Sequence, residues 1–242
     1  MISISIGDDC AVANIIKNTC TSNIGYKPFD WCISKNLSSI IEILEDDFIQ
    51  FTNWNNWYYD TDKIYDKYIK IGNSYSNNSN IGDNGDIGNN GDNSDNGDKG
   101  DNDSNNSNII KTHMLIYSKF ENIIKYPHDI RIENAKNDFE EFKVKIARRI
   151  SRLRNIPANN RIFYRYESNS IKNITIENIE KILKHCAMFK IWLNPKEYNR
   201  LIYSKDNRIQ YLQKYRDSGK FHIMIDTKWN THNNWAKKIE LF

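Results

Sequence analysis

Cys10 and His128 are the two residues of the chain best placed for nucleophilic chemistry. A cysteine attacks as its thiolate, and a helix N-terminus favours that form through its dipole and its free N–H groups. Cys10 follows Gly7-Asp8-Asp9 and opens the run Cys10 to Lys17, CAVANIIK, which reads as a helix with Ala11 and Ile15 inward. Backbone N–H groups around Cys10 and Ala11 would then hold an oxyanion. Asp9 is a candidate N-cap. Asp8 and Asp9 also work against the thiolate, because nearby negative charge raises a thiol pKa. The plain alternative is a small, inert cysteine packed behind a turn.

His128 is the candidate base. It lies in Tyr126-Pro127-His128-Asp129, which reads as a turn or loop because Pro127 disfavours helix at Tyr126. A thiolate–imidazolium pair needs a third group to fix the ring. Asp129 is adjacent, and adjacent side chains tend to diverge, so Asp30 and Asp226 are the alternatives. An exposed loop histidine is the competing reading. His185 falls on a helix and His222 in a strand, where packing explains them, and His113 and His232 are weaker still. Asp30 and Trp31 belong to Pro28-Phe29-Asp30-Trp31. An aspartate among aromatics must be hydrogen-bonded or paired if buried. It would hold a loop near Cys10, contact substrate or cap a turn.

The elements that position these residues alternate. Met1 to Ile6 (MISISI) reads as a strand broken by Gly7. Leu37 to Phe51 reads as an amphipathic helix, and residues 53 to 71 resist assignment. Met114 to Ser118 is a strand candidate. Asn137 to Arg154 is the strongest helix, with Phe139, Phe142, Ile146, Ile150 and Leu153 inward and Lys145, Arg148, Arg149 and Arg152 largely outward. Strands follow at 161–166, 190–193 and 221–226, with helices at 175–188 and 208–215. This alternation predicts an α/β fold: an open, mostly parallel sheet with helices on both faces, in three layers. Ligands of such sheets collect outside the carboxyl ends of the strands, which singles out Gly7 to Cys10, Arg165 and Asp226.

Composition narrows the classes. The chain has 242 residues, 39% hydrophobic and 27% charged, with a net charge of +3. Residues 73 to 108 are almost all Asn, Asp, Ser and Gly, with seven Asp against one Lys. That tract is expected to be a disordered insertion in a single domain spanning 1–242. Its net charge of −6 leaves +9 on the other 206 residues. The basic helix alone is better read as a solvated face, which argues against nucleic acid as a partner. No apolar run reaches the roughly 18 residues of a membrane span, and Met1 to Gly7 has no signal-peptide pattern. Cys10, Cys20, Cys32 and Cys186 show no CxxC spacing, which speaks against a disulfide scaffold and a zinc site and for a reducing, cytoplasmic setting. GxGxxG, GxxxxGK[ST] and HExxH are absent, so no metal or cofactor is expected.

Four short motifs in order carry a resemblance. Ser5 to Ala13 (SIGDDCAVA), Pro28 to Trp31 (PFDW), Pro127 to Asp129 (PHD), and Arg148-Arg149-Ile150 followed by Ile162 to Arg165 (IFYR) resemble a family of papain-like cysteine peptidases, a domain of unknown function seen in bacteria and large DNA viruses. The match spans residues 1 to about 166 once the insertion is set aside. The Asn, Ile, Lys and Tyr bias suits a viral genome rich in A and T, which would place the protein in the host cytoplasm or the virion. The resemblance implies Cys10 as nucleophile and His128 as base, supported by Asp30 or Asp129. Papain-like domains set the cysteine helix against an antiparallel sheet. Strand, glycine turn, cysteine and helix in succession look more like a GDS-type esterase architecture with Cys in place of Ser. Two leading readings of function follow, with nucleic-acid binding through the Arg-rich helix as a weaker third. One is a hydrolase acting by acyl transfer on a protein or other acyl substrate. The other is a non-catalytic or glycan-related binding module that uses the 14 Tyr and 6 Trp. Oligomeric state is left open.

Overall fold

A computed structural model describes residues 1–7, 10–19, 25–34, 36–69, 108–119, 122–167, 172, 174–203 and 208–225. The chain is a mixed α/β protein with two four-stranded sheets. The first sheet is wholly parallel. It contains β1 (Ile2–Ser5), β6 (Arg161–Glu167), β7 (Met188–Leu193) and β8 (Phe221–Ile225), in the order β1-β6-β7-β8. The second is antiparallel, in the order β2-β5-β4-β3, with β2 (Ile33–Ser34), β3 (Trp57–Ile69), β4 (Asn108–Lys119) and β5 (Asn122–Arg131). The helices are α1 (Cys10–Thr19), α2 (Leu37–Glu45), α3 (Ala135–Arg154), α4 (Ile176–Ile182), α5 (Pro195–Ile202) and α6 (Arg208–Asp217).

Strand alternation decides what covers each face of the parallel sheet. Ile4, Ile6, Phe163, Phe189, Ile191, Leu193 and Phe221 point into the main core, which they share with α2, α3, α4 and strands β4 and β5. Tyr164, Tyr166 and Trp192 point the other way and pack on Val12 and Ile15 of α1, with Tyr164 stacked on Trp192. The expectation of a parallel sheet with helix on both faces holds for these four strands. The expectation of a single, mostly parallel sheet does not, because the chain between α1 and α3 builds the second sheet. Phe29, Phe48, Phe51, Trp57, Tyr117, Tyr126 and Phe142 form a continuous run of ring contacts against it.

Several local predictions are also corrected. α2 stops at Glu45 instead of Phe51. Asp47 N–H donates to Leu44 O and Phe48 N–H to Ile43 O, a Schellman closure with Asp47 and Phe48 at positive φ (49° and 65°). Phe48 and Phe51 still reach the core, but from the turns after the helix. α4 is only seven residues long, against the fourteen expected. α5, not anticipated, starts at Pro195 behind Asn194, whose side chain accepts from Glu197 N–H. The tract expected to be disordered lies outside the described residues, except that Asn108 opens β4 opposite Ile69.

Candidate functional site

The turn that delivers Cys10 is built by close packing. Ile6 N–H donates to Tyr164 O at 3.0 Å, which carries β1 one residue beyond its ladder. Gly7 then takes φ +83°. A Cβ there would lie 3.0 Å from Ser34 Cβ and 3.2 Å from Cys32 Sγ, so only glycine fits both the dihedral and the space. Cys10 is the first residue of α1, with Ala11 behind it, and no acidic residue stands in the helix's first turn. The free N–H groups and dipole of a ten-residue helix therefore meet residue 10. The side chains of Cys10 and Ala11 lie outside the described residues, as do Asp9 and Asp226 entirely.

Arg165 locks this turn from below. It is fully buried, and its guanidinium donates to Ile6 O at 3.2 Å, to Ser34 O at 2.8 Å and to Glu167 Oε2 at 3.1 Å. One side chain thus ties the end of β1 and the end of β2 to β6. The sequence singled out Arg165 as a support for substrate or oxyanion. It has no exposed surface, and what its bonds hold is the backbone in front of Cys10.

The Pro28–Trp31 segment is a sharp turn. Asp30 N–H donates to Lys27 O, Cys32 N–H to Phe29 O, and Asp30 Oδ2 accepts from Lys27 N–H at 2.7 Å. Trp31 sits at φ +67°, a left-handed conformation that costs a non-glycine residue about 1–2 kcal/mol. That bend sends Phe29 into the core and lets the chain enter β2. Trp31 is half-buried, with its ring edge-on to Tyr26 at 5.9 Å. Burial pushes the Asp30 carboxyl up to about 6, against the Lys27 N–H and the positive charges of Arg149 and Lys27.

His128 lies on a strand, not in a loop. β5 pairs with β4 at His113↔Ile130 and again at Leu115↔Tyr126, so two extra residues of β5 bulge out around Pro127, His128 and Asp129. Proline has no N–H to give a ladder, and a bulge is where a sheet tolerates that. Thr112 Oγ1 donates to Pro127 O at 2.7 Å and secures the bulge. The His128 side chain lies outside the described residues. Asp129 accepts from Lys145 Nζ at 3.0 Å, so a lysine of α3 already engages its carboxylate.

β2 connects these pieces. Gly7 abuts it at Cys32 and Ser34, while Ile33 and Ser34 pair with Lys125 and Ile124 of β5. A single short strand stands between the turn leading to Cys10 and the strand bearing His128. Cys32 is a buried core residue and the wall behind Gly7. Cys186 is inert, its thiol pushed up to about 12 by burial. Sequence reasoning missed Ser34, Glu167 and Lys27. None has a local signature, since each matters through a partner distant in the chain or through its burial.

Residues 2–190 match a family described as "Putative papain-like cysteine peptidase (DUF1796)", and the chain belongs to that family. No curated protein and no solved structure matches the chain. Among the described residues, no helix is long and apolar enough to cross a membrane.

Proposed function

We propose that the protein is a cysteine-nucleophile hydrolase acting by acyl transfer, with Cys10 as nucleophile and His128 as base. The supporting observation is the placement of Cys10 as the first residue of α1, behind a glycine turn at the carboxyl end of a parallel strand. A thiol at that position gains thiolate character from the helix and has backbone N–H groups beside it for the developing oxyanion. In the reaction, Cys10 Sγ would form a bond to the substrate carbonyl carbon as its proton passes to the imidazole. The imidazolium would return that proton to the leaving group as the scissile bond breaks. Water, deprotonated by the same imidazole, would then cleave the thioester. Arg165 and Gly7 are positioning residues, because they shape the backbone ahead of Cys10 and touch no substrate.

A thiol-reactive probe titrated against pH tests the first step. Labelling at Cys10 with an apparent pKa below the ordinary value of about 8.5 is expected. Turnover of a generic peptide or thioester substrate should vanish in Cys10→Ala and fall at least a hundredfold in His128→Ala. Undiminished turnover in folded Cys10→Ala sinks the reading.

A further inference from the structure

β5 carries His128 on a detour from its own sheet. Its ladder with β4 runs from Asn122 opposite Lys119 to Tyr126 opposite Leu115, then resumes with Ile130 opposite His113 and Arg131 opposite Thr112. Met114 alone stands opposite Pro127, His128 and Asp129. The detour lies inside the strand and is no frayed end. It interrupts a ladder whose backbone groups must find other partners. Bulges of this kind are over-represented beside active sites, where they re-aim a side chain.

Both neighbours of His128 are pinned, and by different elements. On one side, the Pro127 carbonyl accepts from Thr112 Oγ1 at 2.7 Å, and Thr112 is a fully buried residue of β4. Its hydroxyl supplies a donor where the ladder is interrupted. On the other side, Asp129 Oδ1 accepts from Lys145 Nζ of α3 at 3.0 Å, with the lysine side chain 20% exposed and the aspartate 13%. α3 grips β5 a second time, two residues on. Asp138, two helical turns before Lys145, accepts from the Arg131 backbone N–H at 2.8 Å and from its guanidinium at 2.8 and 2.6 Å. The return of the strand to its register is therefore anchored as well as the bulge itself.

We propose that Thr112 and Lys145 are positioning residues for the base: they hold the β5 bulge on either side of His128 and so fix where its imidazole is presented to Cys10. Neither touches substrate. The hydroxyl grips the backbone before the histidine, and the ammonium grips the side chain after it. Asp129 serves as the handle that Lys145 holds. The proposal rests on the reading of Cys10 as nucleophile and His128 as base.

The test follows alkylation of Cys10 by iodoacetamide against pH in the full-length protein, with the labelled peptide read by mass spectrometry. An imidazolium beside the sulfur stabilises the thiolate, so His128→Ala should raise the apparent pKa of labelling toward the free-cysteine value of about 8.5. Thr112→Val and Lys145→Met should each move it at least halfway to the His128→Ala value. Thr112→Ser and Lys145→Arg, which keep the hydroxyl and the charge, should restore the wild-type profile. Thr112→Val alters no charge, so its shift reports the position of the ring and not the local field. With a peptide thioester as substrate, kcat in Thr112→Val should fall about tenfold or more while KM stays within about twofold, because misplacing a catalytic group by about 1 Å costs up to about a hundredfold in rate. Lys145→Met, at the more exposed position, serves if Thr112→Val fails to fold. An unmoved profile in His128→Ala overturns the base reading and this proposal with it. A shifted profile in His128→Ala beside an unmoved one in either folded clamp variant overturns the clamp alone, as does a Thr112→Ser profile no different from that of Thr112→Val.

Discussion

Arg165 at the carboxyl end of β6 and Arg149 near the end of α3 are both almost wholly buried, yet only one is matched. Arg165 reaches two backbone carbonyls and a carboxylate, and the turn before Cys10 hangs on those bonds. Arg149 faces an aromatic ring, a carboxylate out of bonding range and other cations, with two donors left open. The same chemical group is a fully engaged structural clamp in one region and is left with open donors in the other. Burial alone does not tell these roles apart; matching of the donors does.

Substitution at the two arginines should separate these roles most sharply. Arg165→Met strips the cation from buried Glu167 and frees two carbonyls, so it should cost about 3–5 kcal/mol in urea unfolding. Glu167→Leu in the same chain should recover much of that loss. Arg149→Met should leave stability unchanged or slightly raised, because it removes a charge whose donors are not all matched. Equal losses at both positions would erase the distinction.

Asp30 tests the Arg149 side through pH. Its carboxyl titrates near 6 in the folded chain and near 3.9 when unfolded. Between those values the folded state holds the extra proton, so this residue's contribution to stability falls as pH rises from about 4 to 6. The full change is about 3 kcal/mol. Asp30→Asn should therefore gain stability over the wild type across that window and hold the gain at pH 7. A variant-minus-wild-type difference that is flat with pH would show that Asp30 is not held as described.

The Arg165 side is tested more gently with alanine at two left-handed glycines. Gly219 has φ +69° and nothing within 4 Å of an added Cβ, so alanine there should cost about 1 kcal/mol. Gly7→Ala adds contacts with Ser34 and Cys32 and should cost about 2 kcal/mol more. Similar midpoints for the two variants would mean that the β1 turn is free to relax.

How much of this could be read from the chain alone depended on how local the signal was. The β1 strand, the glycine turn and the helix from Cys10 were legible because apolar spacing and one Gly specify them within a dozen residues. The parallel strands 161–166, 190–193 and 221–226 were legible as short β-branched and aromatic runs. The second sheet was not. β3 mixes Tyr, Asp and Lys along an edge, with Tyr58 and Tyr59 exposed, so no two-residue apolar alternation marks it. Pro127 argued against a strand that a bulge accommodates. Arg148, Arg149 and Arg152 share one stripe of α3, and a turn more than a hundred residues away decides which of them faces inward. For that reason the outward reading of Arg149 failed. The placement of Cys10 was legible, whereas the strand setting of His128 needed the register of β5.

The hairpin of β3 and β4 has a practical consequence. Ile69 opposite Asn108 fixes the two ends of the Asn/Asp/Gly tract roughly 5 Å apart. The entropy of closing a loop between two such ends rises by only about 0.6 kcal/mol for each doubling in length. That makes the hairpin tip a permissive graft point. A reporter domain with adjacent termini, spliced in between these strands, should leave the rest of the polypeptide to fold as it does without the graft.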